Sequence, residues 1–378
     1  MHQSQRGHGL RGVLRGVYCP HTKAHMHRRQ THIDALKLIA AQLIVLHHFA
    51  AYGPVSDALK DAAPQLSAWL FDYGRMAVQV FLVIAGFLAA KSLAPAGRLR
   101  TSHPLRAIVQ RYLRLMPPYV TALLLAIAAS NLARHWLTAD FIPGAPGLGQ
   151  FLAHGALLHN LLGLESLSAG VWYVAIDFQL FILVIALLWL GHGWARAWVL
   201  ALMLASLFFF NRHEAFDDWA LYFFAAYGMG MAAFWACRAR RAHMQLALLA
   251  LLGATAAAAL AVDFRGRIAV ALGVALLLGL AQWREQNFPA APPPTPSWLA
   301  RWVALRGNSS YALFLVHFSV LMLCNALWVH FGLQGADALA WVALAYWVAC
   351  LGVALLFERW VERPLSGLFL TPKLLYKT

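Results

Sequence analysis

Charge is scarce in this chain of 378 residues. Only 12% of them are Asp, Glu, Lys or Arg, about half the share found in soluble globular domains. With 61% hydrophobic residues, 13% aromatics and a mean hydropathy of +0.61, that scarcity excludes an ordinary soluble fold and indicates a membrane protein. Cysteine is scarce too. Cys19, Cys237, Cys324 and Cys350 lie far apart, three of them in apolar segments, which excludes a disulfide framework and a metal knuckle. Acidic residues number 15 against 30 Lys and Arg, for a net charge of +15. The basic residues form short clusters between apolar stretches and no single stripe, so the excess reads as cytoplasmic loops and not as a nucleic-acid surface. Residues 1–30 lack an apolar core, and no signal peptide is expected. They read as a disordered basic cytoplasmic arm, whose first 25 residues are an upstream extension ahead of Met26. His21, His25 and His27 there are metal-binding candidates at most, set against a plain solvated tail, and no metal site is assigned. Soluble domains and internal repeats are absent.

Long apolar runs are what the chain has in abundance. A span needs about 20 apolar residues to cross the hydrocarbon core. About ten such runs are found, at 33–52, 72–93, 115–133, 170–190, 194–211, 218–237, 244–262, 268–283, 309–329 and 338–357. The expected fold is therefore all-α, a polytopic membrane protein. The connection 134–169 contains a short apolar piece, Phe151 to Leu164, that is too short to span and is expected to be re-entrant or interfacial. With the N-terminus inside, the only Lys and Arg on the far side are Lys60, Arg75, Arg134, Arg212, Arg265 and Arg267, so both termini are expected to be cytoplasmic. The Pro-rich stretch 289–296 reads as a cytoplasmic linker. The domain plan is an arm over 1–30, a membrane domain over 31–366 and a cytoplasmic tail over 367–378.

Ionisable groups inside spans are costly and usually face the bundle interior. In the first span Lys37 and His48 stand eleven residues apart, which puts both on one helix face about 16 Å apart along the axis. They form either a functional line or a snorkelling lysine plus a packed histidine. Arg111 and Arg114 are three apart on one face where the third span begins, and two guanidinium forks suit phosphate groups; ordinary positive-inside anchoring is the competing reading. Tyr173 and Asp177 are helical neighbours behind Trp172. The aspartate either contacts a sugar or orients His48, or it pairs with an arginine. Ser309 or Asn308 is expected to cap the ninth span, and Ser310 and His317 share a face there. His317 reads as a satisfied structural histidine more than as a second base, and Glu362 as an ion-pair partner at the cytoplasmic face.

Taken in order, five segments resemble the acyltransferase 3 family of bacterial membrane acyltransferases. They are Asp34, Lys37 and His48; Val78 through Phe87; Arg111, Arg114, Pro117 and Tyr119; Trp172, Tyr173, Asp177 and Gln179; and the closing set Ser310, Tyr311, His317, Glu362 and Pro364. The likeness covers residues 31 to 366, and its strength is in the ordered set. It departs from the family pattern at three places: Lys37 for arginine, Ala85 for serine and Asp177 for glutamate. Lysine keeps the charge and loses the fork.

The resemblance implies ten or so helices in a bacterial inner membrane, an acyl-CoA donor, commonly acetyl-CoA, and a carbohydrate acceptor. No permanently bound cofactor is implied, and the partners are acyl-CoA, the carbohydrate and the bilayer, with no nucleic acid. On this reading His48 is the base, since an unperturbed histidine is largely neutral at cytosolic pH, or else the acyl carrier. Lys37 and Asp177 complete the catalytic set, Arg111 and Arg114 hold the CoA phosphates, and Trp172 and Tyr173 line the substrate. A transporter or flippase for a lipid-linked saccharide is the alternative, although the spans lack paired Gly or Pro breaks. A non-catalytic assembly subunit is a third reading. No hydrolase-like domain is expected beyond residue 378, and the acceptor stays open among exopolysaccharide, lipopolysaccharide side chain, lipid-linked precursor and small glycosylated product.

Overall fold

In lipid every backbone N–H and C=O must be satisfied within the protein, which leaves an apolar chain of this kind little choice but helix. The computed structural model describes residues 31–288, 298, 303, 307 and 309–368. The arm 1–30, the linker 289–296, Asn308 and the tail from 369 lie outside the described residues. Among the described residues there is no strand. The helices are α1 (Thr31–Ala51), α2 (Pro54–Ala62), α3 (Pro64–Trp69), α4 (Val78–Leu93), α5 (Pro104–Ala133), α6 (Leu148–Gly155) and α7 (Val171–Leu190). They continue with α8 (Ala195–Phe208), α9 (Ala220–Ala236), α10 (Ala242–Val262), α11 (Gly266–Asn287), α12 (Ser310–His330), α13 (Gly335–Phe357) and α14 (Arg363–Leu368). Nine helical stretches in that region are long and apolar enough to cross a membrane; α9, with 17 residues, is shorter. The protein is an all-α polytopic membrane protein.

Helix α12 is the centre, packed against α1, α5 and α13, and 72% of its apolar window is buried. The corresponding windows of α10 and α13 are 28% and 22% buried, so those helices present most of their apolar surface outward. Helices α4 and α9 form the closest pair. A Cβ on Gly86 would meet Tyr227 O at 1.9 Å, and one on Gly230 would meet Val83 O at 2.0 Å, so only glycine permits the two backbones to approach this far. The turns after α4, α7 and α9 come together at one end of the bundle, where Arg196 Nη2 donates to Ala96 O at 2.9 Å and Trp235 Nε1 to Ala94 O at 2.8 Å. Arg98, Arg100, Arg238, Arg240 and Arg241 are in the same turns, and this is the basic end.

Three local features differ from the sequence expectation. The third span does not begin at 115. Pro104, whose fixed φ suits a first helical turn, starts α5 eleven residues earlier, so Arg111 and Arg114 lie within the helix. Ser309 makes no side-chain cap; its hydroxyl donates to Glu358 Oε2 at 2.5 Å. The ion pair expected of Glu362 is made by Glu358, whose Oε1 accepts from Arg363 Nε at 3.0 Å and Nη2 at 2.8 Å. A π-helical turn over Glu358–Glu362 links α13 to α14 and leaves Glu362 facing inward.

The connection after α5 folds back along that helix. Near the end where it leaves, Ser130 Oγ donates to Pro143 O. Yet Tyr112 Oη, close to the beginning of α5, donates to Gly155 O at 2.7 Å, so α6 has returned along much of α5. Within it, His154 Nδ1 donates to Gln150 O at 2.8 Å and His154 Nε2 accepts from Leu167 N–H at 3.2 Å. His159 stacks on His154 with ring centroids 4.0 Å apart, fully buried, and neither of its nitrogens has a partner among the described residues.

Candidate functional site

A cavity of about 440 Å³ opens toward the basic end, and helical periodicity explains its walls. From α5 it receives Arg111, Arg114, Leu115 and Pro118, a single face at spacings of three and four. Phe81, Ile84, Ala85, Leu88 and Ser92 repeat the pattern on α4, and Tyr173, Val174, Asp177 and Phe181 repeat it on α7. Lys37 of α1, Tyr227 of α9, Tyr311 and Phe314 of α12, and Glu362 complete it.

Its charges are specific. Arg111 Nη2 donates to Asp177 Oδ2, and the guanidinium lies over the Phe181 ring at 4.6 Å. Asp177 is thus held by the arginine one helix away, a pairing that also fixes Arg111 in the wall. Lys37 Nζ is 3.8 Å from Asp34 Oδ1. Arg114 is exposed near the mouth. Three polar atoms on the lining residues are buried without a hydrogen-bond partner among the described residues: Arg111 Nε, Tyr311 Oη and Glu362 Oε2. Buried polar atoms are nearly always paired.

The deep end is closed by aromatics. Ring centroids of Phe81, Tyr173 and Phe314 are 6.0, 6.2 and 5.2 Å apart, a triangle drawn from α4, α7 and α12. Beyond Phe314, at 6.1 Å, stands His317, and its Nε2 is 2.8 Å from His48 Nδ1. His48 is buried and does not line the cavity. The hydrogen-bond pattern sets the tautomers. His317 Nδ1 lies 3.1 Å from Leu313 O, and a carbonyl only accepts, so in the neutral ring Nδ1 carries the proton and Nε2 the lone pair. His48 must then donate from Nδ1, which leaves the lone pair of His48 on Nε2. That atom makes no hydrogen bond among the described residues. A neutral imidazole held this way can take a proton at Nε2 while His317 stays fixed to the backbone.

Of the residues singled out in the sequence, Lys37, Arg111, Arg114, Tyr173 and Asp177 are brought together around the cavity, and His48 is set apart from them by the triangle. Trp172 does not line it; its ring packs on Phe223 at 5.6 Å. Gln179 accepts from Ala220 N–H at 3.1 Å and so ties α7 to the start of α9. Phe81, Phe314, Tyr227 and Tyr311 were not singled out by chemistry. The only signal for Phe314 was its place between Ser310 and His317 on a single helix, and Tyr227 had none. His317, read as structural, is the hydrogen-bond partner of His48.

The comparisons with known proteins agree with this arrangement. The family model described as an acyltransferase domain, that of the acyltransferase 3 family, matches residues 31–359. A curated relative, "Regulator of hypoxia-inducible factor 1" of Caenorhabditis elegans, is 27% identical over 178 residues. That segment is 43% of this chain and 35% of the relative, so the match spans about a third of the relative's length. No solved structure matches. The family match runs over nearly the whole chain, and the chain belongs to the acyltransferase 3 family.

Proposed function

We propose that the protein transfers an acetyl group from acetyl-CoA to a hydroxyl of a cell-surface or lipid-linked carbohydrate, with the basic end facing the cytoplasm of a bacterial inner membrane. The observation that carries this reading is the cavity itself: cationic at the mouth and ending at an aromatic cap, with His317, the hydrogen-bond partner of His48, behind it. Lys37 and Arg114 meet the CoA phosphates at the mouth, where Arg114 supplies a fork and Lys37 a point charge. Arg111, held by Asp177, shapes the channel for the pantetheine arm. The thioester lies at the level of Tyr173, Tyr311 and Phe314.

The chemistry balances with the chain's own groups. His48 Nε2 removes the proton of the acceptor hydroxyl, and the oxygen attacks the thioester carbonyl carbon. Tyr311 Oη donates to the developing oxyanion. As the tetrahedral intermediate collapses, the C–S bond breaks and the proton on His48 passes to the leaving thiolate. Phe314 and His317 stand between the thioester and His48, and Nε2 is turned away from His317, so the acceptor hydroxyl reaches Nε2 from the far side of the pair and the Phe314 side chain swings out of the triangle for the thioester to meet it.

Purified protein incubated with acetyl-CoA and a carbohydrate acceptor pool tests the reading by release of free thiol. An acyltransferase releases CoA in step with acceptor acylation. Release of none, with the carbohydrate moved across the bilayer, would show a transporter instead.

A further inference from the structure

The outer surface of the bundle carries a second concavity, of about 270 Å³, between α8, α9 and α10. Its walls are aliphatic, with Leu200, Leu204, Leu248 and Leu251 along its length, and its one charged residue is Arg196 at the basic end. From Arg196 to Leu204 the groove follows α8 for about 12 Å toward the middle of the bundle.

Arg196 is not a loose surface arginine. Nη2 donates to Ala96 O at 2.9 Å, and the guanidinium lies 5.6 Å from the centroid of Trp235, whose own indole N–H is tied to Ala94 O. Its other N–H groups make no hydrogen bond among the described residues. A guanidinium already ordered in this way offers a fork to an anion at little further entropic cost. The turns around it add Arg98, Arg100, Arg238, Arg240 and Arg241, all exposed. No carboxylate occurs in residues 91–106, 191–200 or 237–246, so nothing within these turns neutralises them.

An apolar groove that runs along the helices from a fixed arginine, under a rim of exposed arginines, matches a molecule with a negative head and a hydrocarbon chain. We infer that this groove binds one anionic diacyl phospholipid, with its phosphodiester on Arg196 and one acyl chain along Leu200, Leu204, Leu248 and Leu251. A zwitterionic lipid carries the same phosphate together with a cation that the arginine rim repels, so net negative charge is selected. The site is outside the central cavity and does not depend on the reaction proposed for it.

The full chain, purified in mild detergent and delipidated, is titrated with dioleoyl-phosphatidylglycerol or dioleoyl-phosphatidylcholine, and bound lipid is counted by native mass spectrometry. One phosphatidylglycerol is retained with about a five- to ten-fold preference over phosphatidylcholine. Arg196→Gln removes most of that preference, while Arg196→Lys keeps part of it. Leu251→Trp fills the groove and abolishes retention although every arginine remains; Thr255→Trp, on the same wall, gives the same result if the first variant folds poorly. Glycerol 3-phosphate, which has the phosphate and no chains, fails to displace the lipid. Equal retention of the two lipids by the wild type would overturn the inference. So would wild-type retention in both Arg196→Gln and the tryptophan variant, or displacement by glycerol 3-phosphate.

Discussion

The proton positions on two histidines decide what His48 can do. With His317 fixed by Leu313 O, the shared hydrogen bond runs from His48 Nδ1 to His317 Nε2, and the reactive lone pair is aimed away from the pair. His317 thus acts through His48 as a positioning residue. His317→Ala is expected to lower kcat about ten- to a hundred-fold, the low end of the range for a misplaced base, with the KM for acetyl-CoA unchanged because His317 does not line the cavity proposed for the donor. His317→Gln, whose side-chain oxygen can accept from His48 Nδ1–H, should recover part of the loss. Equal effects of the two variants, or a change confined to KM, would show a merely structural role. Elsewhere His159 is a buried ring whose two nitrogens have no partner among the described residues. His159→Phe keeps the stacked ring and removes the two polar atoms, and should stabilise the protein by about 1–3 kcal/mol, measured by thermal unfolding in detergent; a lower melting temperature than the wild type would show that the nitrogens are satisfied in the folded protein.

At the scale of helices, two contacts place the site. The Gly86–Tyr227 and Gly230–Val83 approaches draw α4 onto α9, which carries Tyr227 into the same cavity wall as Ala85. Gly86→Ala should destabilise the protein by about 1–3 kcal/mol, measured by detergent thermal unfolding, because the backbone carbonyl it would strike cannot rotate aside. Gly253→Ala is the control. The nearest atom to its added Cβ is 3.8 Å away, and in a helix interior alanine should be neutral or stabilising by up to about 1 kcal/mol. The second contact is the aromatic triangle, which closes the deep end of the cavity. Phe314→Ala should admit a longer chain and raise the butyryl-to-acetyl ratio of kcat/KM about ten-fold, in line with one to two methylenes of apolar pocket; an unchanged ratio would place the acyl group elsewhere. Much of this architecture was legible in the sequence. Apolar runs gave the spans, and spacing put Arg111 with Arg114 and Tyr173 with Asp177 on shared faces. What pairs across helices was not legible: Arg111 and Asp177 are 66 residues apart, and Asp177 had two possible partners until the helices were placed. The start of α5 was missed for a physical reason. Arg106, Gln110, Arg111 and Arg114 break the apolar run without breaking the helix, since arginine and glutamine are good helix formers.

The whole molecule has a polarity from the basic end inward. Arginines crowd the turns at the basic end, charge continues into the cavity at Lys37, Arg111, Arg114, Asp177 and Glu362, and aromatic rings separate that charge from the buried histidines. On the proposed reading, such an order would let a charged donor enter from one side while the base stays dry. Lys37 sits near the open mouth beside Asp34, where a single positive charge serves, and Asp177 is held against Arg111 by a direct ion pair. The central claim is that His48 is the base of an acyl transfer to a carbohydrate. The most direct measurement is the acyl content, by mass spectrometry, of surface glycans from cells carrying wild-type protein or His48→Ala at equal membrane abundance. The account predicts an acetyl mass increment with the wild type and at least about a hundred-fold less with His48→Ala; equal increments from the two proteins would contradict it.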